Sequence, residues 1–401
     1  LVKYRCDTVT RVVGVDPGTA SFDLILVEGD RVMFEESIET TKVAKDPSIL
    51  VDRLESLDVD YVVAPSGYGS PVHTCDEVNN PRRFAIEVLL LSTNSDIELG
   101  VREGHIGIWV YKALADSIVH MCDRYRSKVL FIPGVIHLPT IPVHRKINRV
   151  DMGTADKLAS TFLAIYDYSY NMGVSYSDVS FILLEIGAGY YATVAVERGK
   201  VVDGVGGTSA TGGLLTAGSL DLELVANAGY WKRWDVFRGG VLDISKMLDL
   251  VELLKRAQVG EEPYSTLLDN LVESIAKDVQ RARVSAPYAE ILVVTGRYRR
   301  LGEFVELVIE KVGDLDLYIP RGLLGASKSK DSAQGYAALG VGLTTEGAFR
   351  ELALHMMIDR ACGTSVDYIV HPRAVEFKRR VQRAYQESVK NPKLCKERLT
   401  L

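Results

Sequence analysis

The sequence predicts an α/β protein of two domains, each built on a mixed sheet. Two observations carry this expectation: a three-strand meander that occurs twice, and the alternation of helices and strands that follows each copy. At 401 residues the chain is too long for one small core, and 47% hydrophobic with 25% charged residues marks a globular rather than a disordered polypeptide.

The first meander runs through a strand at 11–16, a turn at 17–20, a strand at 22–28 and, after the tight turn Gly29-Asp30, a strand at 31–38. The second has the same order, with strands at 181–185 and 190–197 joined by the turn 186–189, then Arg198-Gly199 leading into a third strand. The copies superpose 169 residues apart: Asp16 falls on Glu185, Gly18 on Gly187, Glu28 on Glu197 and Val32 on Val201. After the first come helical segments at 47–57, 84–91 and 106–125, strands at 59–64 and 128–133, and a helix from about Thr154 whose apolar residues recur at helical spacing. After the second come helices at 244–256 and 265–283, a strand at 290–295, a helix from Gly302, a strand at 315–319 and a helix from Ser332. These patterns place domains at 1–172 and 173–347, a ligand cleft between them, and a helical extension over 348–401.

Thirty-four glycines are distributed unevenly. The turn Asp16-Pro17-Gly18-Thr19-Ala20-Ser21 lets backbone N–H groups converge into an anion-binding concavity, to which Thr19 and Ser21 add hydroxyls. An aspartate behind such a turn repels phosphate directly, but it suits a magnesium ion that reaches the phosphates. Gly187-Ala188-Gly189 repeats the device with Glu185 behind it, so Asp16 and Glu185 are the expected metal ligands. Six of the fifteen residues from Gly204 to Gly218 are glycine, interleaved with Thr208, Ser209, Thr211 and Thr216. Strand and helix signals flank this segment, so Gly206, Gly207, Thr208, Gly212 and Gly213 are expected to contact a ligand rather than form a linker. Gly296-Arg297, after the strand at 290–295, is a further point of close approach for a base or ribose. The small residues of Ala333-Gln334-Gly335-Tyr336-Ala337-Ala338-Leu339-Gly340 suit close helix packing.

The DPGT turn, the GAG turn of the repeat, the Gly/Thr-rich loop, the TGR turn and the AQGYAALG helix occur in an order that resembles the acetate and sugar kinase, heat-shock protein 70 and actin superfamily. Residues 184–222 are most similar to butyrate and acetate kinases, and the whole chain is similar to an archaeal family of uncharacterised proteins described as predicted butyrate kinases. The resemblance covers about residues 10–345. It implies two duplicated ribonuclease-H-like domains, the actin-like ATPase fold, closing on Mg-ATP, and an ATP-dependent phosphotransferase acting on a short-chain carboxylate. Two departures stand out. Acetate kinases carry an arginine in the loop equivalent to 216–221, where this chain has Ala217, and their first turn begins with Asn where this chain has Asp16. Alternatives left open are a kinase with a sugar or other hydroxyl acceptor, and a non-catalytic nucleotide switch that signals through 348–401, where Arg379, Arg380 and Arg383 cluster.

Phosphoryl transfer needs charge neutralisation and an oriented acceptor. A carboxylate acceptor is already ionised and needs a cationic clamp, whereas a hydroxyl needs a base. The segment 144–157 offers both: Asp151 and Asp156 as acceptor-orienting carboxylates, although either Asp151 or Thr154 equally suits a helix cap, with Arg145 and Lys157 as anion ligands. In the loop 65–83, Tyr68 suits an acyl pocket and Arg82 a bidentate carboxylate contact, or else a solvated surface. His73 and Cys75 lack partners at metal-ligand spacing, and Trp231 and Trp234 are expected to pack.

A net charge of −6 gives no reason to expect nucleic acid, and no apolar run approaches the ~18 residues of a membrane span. Asp7 and Arg11 interrupt any signal-peptide pattern. Five scattered cysteines without a CxxC pair (Cys6, Cys75, Cys122, Cys362, Cys395) fit reduced thiols in a cytoplasm. The expected partner is a small-molecule acceptor, with a homodimer as a possibility.

Overall fold

The computed structural model describes residues 10–247 and 249–396, so Cys6 and Asp7 lie outside the described residues. Strands β1 (Arg11–Pro17), β2 (Ser21–Glu28) and β3 (Arg31–Glu39) form the first meander. β4 (Tyr61–Val63), β5 (His73–Thr74) and β6 (Val129–Phe131) extend it to a six-stranded sheet ordered β3-β2-β1-β4-β6-β5, in which β1, β4 and β6 are parallel. β7 (Phe181–Ile186), β8 (Tyr191–Glu197), β9 (Lys200–Val205), β10 (Ile291–Thr295) and β11 (Asp316–Tyr318) form a second sheet ordered β11-β10-β7-β8-β9. Leaving aside β5, the two orders are the same.

The duplication holds at the level of single residues. Asp16 pairs with Asp23 across β1 and β2, and Glu185 pairs with Ala192 across β7 and β8. Gly18 N–H donates to Ser21 O at 2.8 Å, and Gly187 N–H to Tyr190 O at 2.8 Å. Each meander has one register shift, between Leu26 and Val27 in the first and between Ala195 and Val196 in the second. Every one of these positions has its counterpart 169 residues on.

Alternation along the strands explains the layers. Val12, Ile25 and Val27 of the first sheet, with Phe181, Leu183, Val194 and Val196 of the second, face one shared core. Two helices fill it, Ala155–Met172 and Asp331–Thr344. The opposite face of the first sheet (Val13, Val15, Phe22, Leu24) is covered by the helix Ile106–Tyr125. The opposite face of the second sheet (Ile182, Leu184, Ile186) is covered by Leu250–Gln258, Tyr264–Arg283 and Gly302–Val312. Strands covered on both faces read as continuous apolar runs, as β7 does. The central helices approach closely because Gly335 has no side chain: a Cβ there would lie 2.0 Å from Ala159 O.

Three expectations are corrected. The helix expected over 244–256 is two helices, Val241–Ser245 and Leu250–Gln258. Lys246 takes a left-handed conformation (φ 58°) that ends the first, and the Asp249 carboxylate accepts from Glu252 N at 3.1 Å to cap the second. The cysteines are not scattered thiols, because Cys75 is bonded to Cys122 and Cys362 to Cys395, with Cα–Cα separations of 5.3 and 5.0 Å. Tertiary packing, to which sequence spacing is blind, brings each pair together, and the cysteine argument for a reducing cytoplasm lapses. The short strand β5 interrupts what the sequence shows only as a loop, since just two residues pair.

Within the extension, the helix Val375–Ser388 packs back on the body. Tyr385 reaches His73 at 2.9 Å, Arg83 is ion-paired with Glu387, and Lys393 Nζ donates to Val72 O at 2.7 Å. Among the described residues, no helix is long and apolar enough to cross a membrane.

Candidate active site between the two sheets

β1 and β7 end side by side at their turns, and a cavity of about 190 Å³ opens between them. Asp16 closes β1 and is 3% exposed; it accepts from Ser332 Oγ at 2.8 Å and lies 3.6 Å from Lys330 Nζ. Burial raises its pKa, and the Lys330 ammonium opposes that rise. Lys330 also lies 3.2 Å from Asp23. Glu185 closes β7, is 4% exposed, and is paired with Lys157 at 2.7 Å. Burial pushes its carboxyl up to about 7 in spite of that partner.

Lys157 stands in the first turn of the helix Ala155–Met172 and also reaches Asp156 at 2.6 Å. Burial disfavours its charge, but the two carboxylates outweigh burial and raise its pKa. Asp156 moves the other way: burial raises it, and Lys157 with the Thr154 hydroxyl brings it below the usual carboxylate value.

Asp151 anchors the Gly/Thr-rich loop. Its carboxylate accepts from Thr208 N, Thr208 Oγ1 and Gly153 N, each at 3.1 Å, while its carbonyl accepts from Gly206 N at 3.2 Å and Ser209 Oγ at 2.7 Å. Further along the loop, Thr211 N and Oγ1 donate to the buried Asp278 at 2.6 and 2.9 Å. At Gly296 the backbone adopts φ 89°, its N–H donates to Asp331 at 3.0 Å, and an added Cβ would meet Ile186 O at 2.6 Å. Only glycine fits there, and it lets Arg297 reach the cavity.

Most of the residues singled out from sequence line this one cavity. From the turns come Asp16, Gly18, Thr19, Glu185, Gly187, Ala188 and Gly189. From elsewhere come Tyr68, Asp151, Asp156, Lys157, Gly207, Thr208 and Arg297. Ser21, Gly206, Gly212, Gly213 and Gly296 do not line it and instead shape the turns behind it: Ser21 Oγ donates to Asp23 at 2.8 Å, and Gly212 N–H to Tyr191 Oη at 3.3 Å. Arg145, expected as an anion ligand, also lies off the cavity. It donates to Val202 O at 2.7 Å, because the chain turns into the cleft only from Asp151 onward. Arg82 is paired at the surface with Asp116 at 2.9 Å. Trp234 packs on His105 with ring centroids 4.7 Å apart, and Trp231 donates to Val225 O at 3.1 Å.

Sequence reasoning missed Lys330 and Ser332, whose one signal is a charged Lys-Asp pair just before a helix of small residues. It also missed an aromatic chamber at one end of the cavity, where Tyr111, Tyr190 and Phe237 join Tyr68, Leu90 and Leu114. Behind its wall, Arg233 donates to Tyr111 Oη at 2.6 Å and Leu90 O at 3.1 Å.

The two like-ordered sheets, the paired turns and the cleft between them define the duplicated fold of the acetate and sugar kinase, heat-shock protein 70 and actin superfamily. Among solved structures, a propionate kinase from Francisella tularensis subsp. tularensis SCHU S4 is similar with a TM-score of 0.54 and 12% identity, over 82% of this chain and 98% of that one. An acetate kinase from Porphyromonas gingivalis is similar with a TM-score of 0.51 and 14% identity, over 87% and 100%. In sequence, a probable butyrate kinase from Listeria monocytogenes serovar 1/2a (strain EGD-e) is 20% identical over 332 residues, 75% of this chain and 89% of that one. The chain belongs to the family described as protein of unknown function DUF1464, whose model matches residues 14–371.

Proposed function

We propose that the protein is an ATP-dependent phosphotransferase that phosphorylates a short-chain carboxylate, with domains at 1–172 and 173–347 closing on the two substrates. The observation that carries this reading is the convergence on one cavity of both duplicated turns, the Thr208 loop and the bridging cations Lys157 and Lys330. Gly18 and Gly187 N–H are spent on closing the turns, which leaves the backbone N–H groups of Thr19, Ala188 and Gly189 to suit the phosphates of ATP. The two lysines suit the charge that spreads over a phosphoryl group in transfer. Arg297 stands where a ribose or base would approach.

A carboxylate acceptor is favoured over a hydroxyl by the state of the cavity's own acids. Asp16, Asp151, Asp156 and Glu185 are each already held by a hydrogen bond or an ion pair from the chain. Glu185, pushed up to about 7, is tied to Lys157 and so is not free to take a proton from a hydroxyl, whereas an ionised acceptor needs no base. The aromatic chamber, with the Tyr111 hydroxyl backed by Arg233, suits the body and the charge of such an acid.

The donor set fits magnesium that arrives with nucleotide. Asp16 and Glu185 are hard oxygen donors, and among the described residues no group of three or more His, Cys, Asp or Glu side chains could cage a metal alone. When bound, the ion would neutralise phosphate charge beside these two residues.

Incubation with Mg-ATP, butyrate and hydroxylamine tests the reading, since an acyl phosphate is trapped as the hydroxamate. Hydroxamate formation in proportion to ADP is the expected result. ADP formation with sugars but not with carboxylates would move the protein to the hydroxyl kinases.

A further inference from the structure

A second cavity of about 690 Å³ lies against the outside of the aromatic chamber and shares Tyr68 with it. Three distant parts of the chain build it: the segment 91–99, the segment 230–236, and the helix Val375–Ser388, which contributes Phe377 and Arg380. Its walls are aromatic, with Tyr230 90% and Trp231 37% exposed, and its charged groups are Lys232, Arg233, Arg380 and one acid, Asp96. Asp96 is committed to capping the helix Asn94–Arg102, where it accepts from Thr93 N at 2.9 Å and Thr93 Oγ1 at 2.7 Å.

The two arginines share an uncommon state. Arg233 donates to neutral oxygens, Tyr111 Oη and Leu90 O, with the Tyr68 hydroxyl beside it, and Arg380 donates to Leu91 O at 3.4 Å. Neither forms an ion pair with an acid among the described residues. In both, Nε is buried without a hydrogen-bond acceptor. A buried guanidinium N–H left unmade is costly, and buried cations are ordinarily paired. The Nε atoms themselves lie out of a ligand's reach, but both arginines are only half-buried overall. Two cations without an acid partner in one groove thus mark a place for an anion, and Arg is the side chain best shaped to hold a carboxylate or phosphate. Lys232 Nζ stands 4.7 Å from the Trp234 ring centroid and adds positive charge at the same rim. Tyr230, Trp231 and Phe377 add planar apolar surface.

We propose that this groove is a second ligand site, separate from the nucleotide cleft, which binds a small organic anion carrying a planar ring. Arg233 and Arg380 hold the anionic head, and Trp231 with Tyr230 packs on the ring. The C-terminal extension thus completes a binding site besides bracing the first sheet.

Titration calorimetry on the full chain without nucleotide tests this. Phenylacetate and phenyl phosphate serve as probes and distinguish a carboxylate head from a phosphate head. One of the two is expected to bind in the micromolar range, with inorganic phosphate and butyrate at least tenfold weaker. Arg380→Ala and Trp231→Ala are each expected to weaken that binding tenfold or more while leaving ATP affinity and the thermal midpoint unchanged. Arg82→Ala, which removes a surface cation elsewhere, is expected to change nothing. Failure of both probes to bind below millimolar concentration overturns the proposal. So does binding that survives both Arg380→Ala and Trp231→Ala.

Discussion

The turns at the ends of β1 and β7 have the same backbone and different company. Each turn closes with the same 2.8 Å hydrogen bond and carries a buried carboxylate at the same register position. The lysines, however, come from opposite halves of the chain. Asp16 of the first sheet is served by Lys330, just before the last central helix, and Glu185 of the second by Lys157, at the start of the other one. The two ion pairs therefore cross. The repeated backbone builds two like turns, each a pocket backed by a carboxylate, while the charge balance of each depends on the other half of the chain. The pairs also differ in depth: the Lys157 side chain is 10% exposed and that of Lys330 23%.

Breaking the deeper pair is expected to have the largest effect. Lys157→Met strands Asp156 and Glu185 together, a loss of about 3–5 kcal/mol for a buried pair broken on one side. Denaturant unfolding is expected to show that loss, and Lys330→Met a smaller one. Equal losses would remove the distinction between the two pockets.

For function, Asp16→Asn keeps the shape of the side chain and its contact with Ser332. Turnover is expected to fall by at least about a hundredfold, with the circular dichroism spectrum and thermal midpoint kept. Unchanged turnover would take Asp16 out of the chemistry.

Next in size is the covalent link of the extension. Cys362→Ser opens the link to Cys395, which closes a loop of 33 residues, and about 2–4 kcal/mol of stability is expected to be lost. Urea midpoints of wild type and variant check this: the gap between them is expected without reductant and should close with it, because reductant opens Cys362–Cys395 in the wild type and Cys75–Cys122 in both.

The smallest effect concerns the loop that carries Lys330. Glu35 on β3 accepts hydrogen bonds from Ser327, Lys328 and Ser329, and so fastens that loop to the first sheet. Burial pushes the Glu35 carboxyl up, but the hydrogen bonds from Ser329 and Ser327 outweigh it and hold the pKa at about 2, below the ordinary 4.5. A carboxyl depressed on folding contributes stability that is whole above pH 4.5 and is lost as pH falls from there toward 2. Because Glu35 is only half-buried and solvent still screens it, Glu35→Gln is expected to cost no more than about 1 kcal/mol at pH 7. The difference between wild type and variant should vanish near pH 2. A gap that persists at that pH would assign the contribution to packing.

What the sequence disclosed follows the range of the interactions. The meanders were legible because a hairpin is local, and the 169-residue offset aligns Asp16 with Glu185 on residue identities alone. Lys157 and Asp151 were legible as polar residues at a helix start. Lys330 was not, since a lysine before a helix looks like any solvated charge until the fold carries it to Asp16. The disulfides were hidden for the same reason. Arg145 and Arg233 make the clearest contrast. The basic run around Arg145 suggests an anion ligand, yet that side chain is spent on Val202 O. Arg233 lies among residues expected only to pack, and it backs the chamber wall through Tyr111.

The central claim is that the two crossed pockets hold ATP for transfer to a carboxylate. Steady-state ADP release from Mg-ATP, measured with and without butyrate and then across carboxylates and sugars, tests it most directly. Release stimulated at least tenfold by a carboxylate and unaffected by sugars is the expected result. Tight ATP binding with no stimulation by any acceptor would contradict the claim and leave a nucleotide-driven switch in its place.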